Sequence, residues 1–206
     1  MHTQTTARSQ PLTLPRRLAL GGMAAMLAVG CGATSDGPGP DLNTAGYSGP
    51  VSVRLDKFKD SEVRNESFDS DREIDSEPGN PYADFLRSAS TVLGRSPAAV
   101  VLDRVTFTLG SDTRGVTAFE QIFTGSVVVY FATSSVTVNV GTVARPTGAG
   151  PVTVQITATR SDLAPINAAL LSGHFKVGMR VPAAPGRPAS FDARVSTTLY
   201  FRALAL

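Results

Sequence analysis

From Phe191 to Arg202 the chain alternates with a period of two. Phe191, Ala193, Val195, Thr197, Leu199 and Phe201 fall on one side, and Asp192, Arg194, Ser196, Thr198 and Arg202 on the other. Successive side chains of an extended strand point to opposite faces, so such a run can bury one face only as a β-strand. The same period recurs at Val105, Phe107 and Leu109, at Val136, Val138 and Val140, and at Val152, Val154 and Ile156, with threonine, asparagine or glutamine between. Residues 127–132, VVVYFA, are apolar on both faces, which predicts a central strand covered twice.

Two segments carry a helical pattern instead. In GNPYADFLRSASTVLG, Asn80 is a candidate cap, Pro81 stands at the first helical position, and Gly94 closes a helix with Phe85, Leu86, Ala89 and Leu93 on one side. In SDLAPINAALLSG, Ser161 is the expected cap and Gly173 the terminator. Strands spaced by Gly, Pro and Asn, with two short connecting helices, predict an all-β fold, an antiparallel β-sandwich that is Ig-like in general architecture. A small transmembrane barrel shares the alternation, but threonine and arginine occupy the faces that would meet lipid.

The N-terminal part has a different character. Residues 1–17 hold Arg8, Arg16 and Arg17 and no acid, and the 13 residues Leu18 to Gly30 are all apolar or glycine. A spanning helix needs about 20 apolar residues, so this layout predicts an export signal that is removed. Ala28-Val29-Gly30 supplies the small residues a cleavage site requires, and the one cysteine of the chain, Cys31, follows directly. A lone thiol exported to an oxidising compartment has no partner within its own chain.

Residues 14–32 resemble the signal and lipobox of bacterial lipoproteins, in which Leu, a small residue and Gly or Ala precede a modified cysteine. Here Ala28 stands three before Cys31 and Leu27 one step earlier, a looser arrangement than the consensus. The resemblance implies that Cys31 carries a thioether-linked diacylglycerol and an amide-linked chain. It also implies a bacterial cell-envelope location, at the outer membrane because Gly32 and not aspartate follows the cysteine. Two or more acyl chains anchor stably where one does so marginally. Arg16-Arg17 before Leu18 is also loosely similar to a twin-arginine export signal.

Gly32 to Pro50, GATSDGPGPDLNTAGYSGP, has almost nothing to bury and reads as a flexible tether of roughly 25 Å. The expected organisation is therefore a signal peptide at 1–30, a lipidated tether at 31–50 and a β-sandwich domain at 51–206. Three of the 19 basic residues lie before Cys31, which leaves 16 against 17 acids. No clustered basic face is apparent, and a nucleic-acid partner is not expected.

Chemistry is sparse. His174 is the single histidine after Cys31; a hydrolytic triad would need it beside a serine and one of Asp103, Asp112, Asp162 or Asp192, and no G-x-S-x-G elbow exists. With no second histidine and no free cysteine, a zinc site lacks ligands, and no cofactor motif is found. In KFKDSEVRNESFDSDREIDSEPGN, Asp69, Asp71, Glu73, Asp75 and Glu77 alternate, so an extended chain would line five carboxylates along one side. Calcium is the natural ion for such oxygens, although Ile74 and Asn80 stand where an EF-hand needs glycine and glutamate. The expected state of this segment is a solvated, mobile acidic loop, with no metal and no catalytic residue assigned. The sequence points to a non-enzymatic envelope domain for binding, adhesion or scaffolding, with a carrier of a lipid or other apolar ligand as the alternative.

Overall fold

The computed structural model describes residues 46–205. The leader, Cys31 and most of the expected tether lie outside the described residues. Eight strands follow in chain order: β1 (Gly46–Lys59), β2 (Ser67–Ile74), β3 (Ala99–Leu109), β4 (Ser126–Ala132), β5 (Thr137–Ala144), β6 (Val152–Ile156), β7 (Phe175–Pro182) and β8 (Asp192–Leu204). All pair antiparallel in one sheet of order β1-β8-β3-β6-β5-β4-β7-β2.

The all-β expectation holds, but the pairing does not divide into two separate sheets. β6 joins β3 through three residue pairs and β5 through two, Gly141↔Ile156 and Thr142↔Gln155. The sheet is thereby continuous, and it curls until its two end strands, β1 and β2, lie beside each other without pairing. Periodicity fixes which face of a strand is buried but carries no information on which strands pair.

The interior holds the inward residues of every strand. On β8, Ala193, Val195, Thr197, Leu199 and Phe201 are all at most 1% exposed, as the period-two reading requires. Aromatic rings fill much of this interior. Phe58, Phe68 and Phe123 meet edge to face at 5.3–5.8 Å, and Phe119 stacks on Phe123 at 5.6 Å. At the opposite end Tyr82 meets Phe175 at 5.0 Å and Phe201 at 5.1 Å. Each such ring contributes about 2–3 kcal/mol by leaving water, plus a geometric preference for tilted contacts.

Helix α1 (Pro81–Leu93) is built as the sequence predicts. Asn80 accepts from the Tyr82 N–H at 2.9 Å, Pro81 opens the first turn, and Gly94 closes it in the left-handed conformation at φ +67°. The second helical segment differs: Pro165 divides it into α2 (Arg160–Leu163), a 3-10 turn and α3 (Asn167–Ser172). Its cap is Thr159 rather than Ser161, with Asp162 accepting from the Thr159 N–H at 2.7 Å. The two segments meet where Tyr82 Oη donates to the Leu170 carbonyl at 2.8 Å, an otherwise buried hydroxyl thereby satisfied.

Two further expectations are corrected. β1 begins at Gly46, so residues 46–50 are strand and not tether. Gly46, Gly49 and Pro50 disguise it, yet Pro50 is tolerated because β1 ends the sheet and needs no donor on its free side. The acidic segment is not a loop between 67 and 74: β2 turns Phe68, Ser70 and Ile74 inward. Serine and arginine at positions of inward parity hide this strand from a hydrophobic period.

Candidate functional site

The outer face of β2, β7 and β4 carries a connected polar network. The register sets Asp69 opposite Arg180 and Glu73 opposite Lys176, with Asp71 opposite Gly178. Arg180 donates to one Asp69 oxygen through Nε at 3.0 Å and Nη2 at 2.8 Å, while Tyr130 Oη donates to the other at 2.5 Å. Asp71 accepts from Lys57 Nζ at 2.6 Å and from Lys176 Nζ at 3.1 Å. Cross-strand cations thus meet two of the alternating carboxylates, relieving the repulsion of a like-charged row.

Tyr130 is the outward residue of β4 at this point, yet it is only 6% exposed. Its ring lies across Gly178 on the paired strand, where a Cβ would collide with it, and the Arg180 guanidinium sits 5.2 Å from its centroid. The expected central strand holds, since β4 pairs with β5 and β7, and at Tyr130 the outward cover comes from the tyrosine's own ring lying over Gly178.

The electrostatics follow from these contacts. The Lys57 ammonium holds the Asp71 carboxyl below its ordinary value, with partial burial opposing and Lys176 assisting. Asp71 in turn holds Lys57 above its ordinary value. Burial pushes the Tyr130 phenol up, and its bond to Asp69 adds to that.

Other sequence candidates are scattered. Asp75 accepts from the Glu77 N–H at 3.0 Å and from Asn80 Nδ2 at 3.1 Å, which makes it a brace for the start of α1. Glu73 and Glu77 make no side-chain bond among the described residues. No group of three or more His, Cys, Asp or Glu among the described residues has a metal-holding arrangement. His174 is exposed beyond the end of α3, its backbone N–H donating to the Ala169 carbonyl at 3.0 Å. The four aspartates a triad could have used are engaged elsewhere: Asp103 with Arg202, Asp112 with Arg54, Asp162 with Thr159 and Asp192 with Arg194.

No protein-family model matches the chain, and none of the curated proteins matches it. Among solved structures, a chain from Desmodium yellow mottle tymovirus is similar over 97% of this chain and 98% of its own, with 13% identity and a TM-score of 0.32. That likeness is too slight to carry an argument.

The residues that complete the network, Lys57, Tyr130, Lys176 and Arg180, are absent from the sequence candidates. A signal for them exists. FKVGMRVP sets Lys176 and Arg180 between apolar residues, and they complement the acids at alternate positions of SFDSDREI, which is the pattern of two strands paired side by side.

Two shallow depressions lie on the described surface. One, of about 520 Å³, lies beside the β1–β2 connection and is lined only by polar residues, among them Lys57, Arg64, Asp69 and Arg180. The other, of about 270 Å³, lies between the start of β1 and α1, against Tyr47, Pro50, Pro81 and Phe85.

Proposed function

We propose that this chain is an exported, lipid-anchored component of a bacterial cell envelope, whose β-domain serves binding, adhesion or scaffolding without catalysis. The observation that carries it is the placement of Cys31: the sole cysteine, directly after small residues that end a 13-residue apolar run. The acylated residue would be held in the membrane, and residues 32–45 would connect it to a domain that starts at Gly46.

The architecture of that domain we read as a sandwich of two layers, β1-β8-β3 and β5-β4-β7-β2, made continuous by β6. Its polarity supports a water-exposed role. Inward positions are apolar and outward positions carry Arg54, Lys57, Asp69, Asp71 and Arg180, the reverse of a barrel that faces lipid outward. A carrier of an apolar ligand is the less favoured reading, because the rings of Phe58, Phe68, Phe107, Phe131 and Phe201 occupy the space such a ligand would need.

The test is Cys31→Ser. The unaltered protein should partition into detergent and show acyl mass on its first residue, whereas the variant should accumulate as precursor or appear in the soluble fraction. Identical partitioning and identical mass of the two proteins, apart from the substituted atom, would defeat the proposal.

A further inference from the structure

The 520 Å³ groove is lined by charged residues of both signs. Three of its lining residues are cations, and two of these are already committed: Lys57 to Asp71 and Arg180 to Asp69. The third, Arg64, is not. Its Nη1 donates to the Ser61 carbonyl at 2.6 Å and the Val63 carbonyl at 3.0 Å, contacts that fix the guanidinium without neutralising it. No carboxylate of the described residues lies within ion-pair distance of Arg64.

Glu62 is the mirror case. It lines the same groove, and its carboxylate makes neither an ion pair nor a hydrogen bond among the described residues. Arg64 and Glu62 therefore line one depression without an ion pair between or around them, although Glu62 lies near enough to Lys57 to help hold that ammonium above its ordinary value.

The turn that presents them is held firmly. Arg64 and Ser67 exchange two backbone bonds of 2.9 Å, and Ala183 N–H donates to the Glu66 carbonyl at 2.8 Å. Asn65 and Glu66 are both left-handed, at φ +48° and +58°; the second is a conformation that glutamate adopts only when its surroundings impose it. Asn65 and Ser67 add neutral polar groups to the wall. Every lining residue is polar or charged, which disfavours a purely apolar ligand, and a simple anion would leave Glu62 unmatched.

We propose that this groove binds a small zwitterion, an ammonium and a phosphate or carboxylate joined by a short linker, with the anionic end on Arg64 and the cationic end at Glu62. The site does not depend on acylation of Cys31. Its chemistry is shared by a free amino acid or phosphoethanolamine and by an ethanolamine-bearing lipid headgroup.

Calorimetric titration of the full chain should compare O-phosphoethanolamine with inorganic phosphate and with ethanolamine, each alone. The zwitterion should bind at least roughly tenfold more tightly than either half. Arg64→Gln and Glu62→Gln should each remove that advantage while leaving the thermal midpoint unchanged, since both side chains are exposed. Sedimentation with phosphatidylethanolamine vesicles, against phosphatidylglycerol controls, separates the sources: binding marks a headgroup, and binding of the soluble compound alone marks a free molecule. Equal binding of phosphate by itself, no binding of phosphoethanolamine, or a Glu62→Gln variant that retains the full preference would overturn the proposal.

Discussion

Thr197 occupies an inward position of β8, 1% exposed, flanked by Val53 on β1 and Phe107 on β3. Its hydroxyl has no hydrogen-bond partner in the structure. Ser70, the other buried serine or threonine among the described residues, accepts from the Lys57 N–H at 3.2 Å. A buried polar group without a partner keeps the cost of leaving water and recovers nothing, typically about 1–3 kcal/mol. Thr197→Val keeps the branched shape and removes that cost, so stability should rise by about 1 kcal/mol. Urea unfolding is the measurement, with a higher midpoint and an unchanged slope; a lower midpoint would mean that an ordered water serves the hydroxyl. The inward placement of Thr197 was legible from the period of two. Its missing partner was not, because that depends on what β1 and β3 bring across from far away in the chain.

At the scale of elements, legibility followed the contrast between faces. β3, β5, β6 and β8 alternate apolar with polar, and α1 carries Asn80, Pro81 and Gly94 in their proper places. β2 was hidden because Ser70 and Arg72 stand where a hydrophobic period needs large apolar residues. Its partner β7 alternates clearly through Phe175, Val177, Met179 and Val181, but neither strand declares the other until their charges are compared. The acidic residues were visible; what neutralises them was not, because Lys57, Lys176 and Arg180 come from β1 and β7. That pairing has a pH signature. Folded Asp71 titrates below the ordinary 3.8, so its contribution is complete above the unfolded carboxylate value and is lost as pH falls through the depressed folded one. Lys57 is half exposed, and the pair therefore contributes under about 1 kcal/mol in salt. Asp71→Asn should lower the urea midpoint slightly near neutral pH, and the gap from the parent should close well below the carboxylate range. A gap of constant size across both conditions would show that the carboxylate's charge is not what matters.

For the molecule as a whole, the question left by a composition rich in glycine and proline near residue 46 is where the folded domain begins. A reading by composition places the boundary at Val51, after the last proline of the tether. The pairing places it earlier, with Gly46 to Pro50 opposite Leu204 to Tyr200. Tyr47 reaches over to α1, its ring 5.7 Å from Phe85, and Gly49 is buried where a Cβ would press on that same phenylalanine at 3.2 Å. These five residues cover one edge of β8 at the end of the sheet where the helices sit. A chain that begins at Asp41 should therefore melt as the full-length protein does. One that begins at Val51 should lose about 2 kcal/mol of burial and pairing, a drop of roughly 4–8 °C. It should also associate more readily, since the stripped length of β8 offers unpaired backbone to another copy. Thermal melts and light scattering on the two truncations decide it: equal midpoints would make residues 46–50 a passive extension of the tether, and a loss confined to the shorter chain would make them the strand that finishes the sheet.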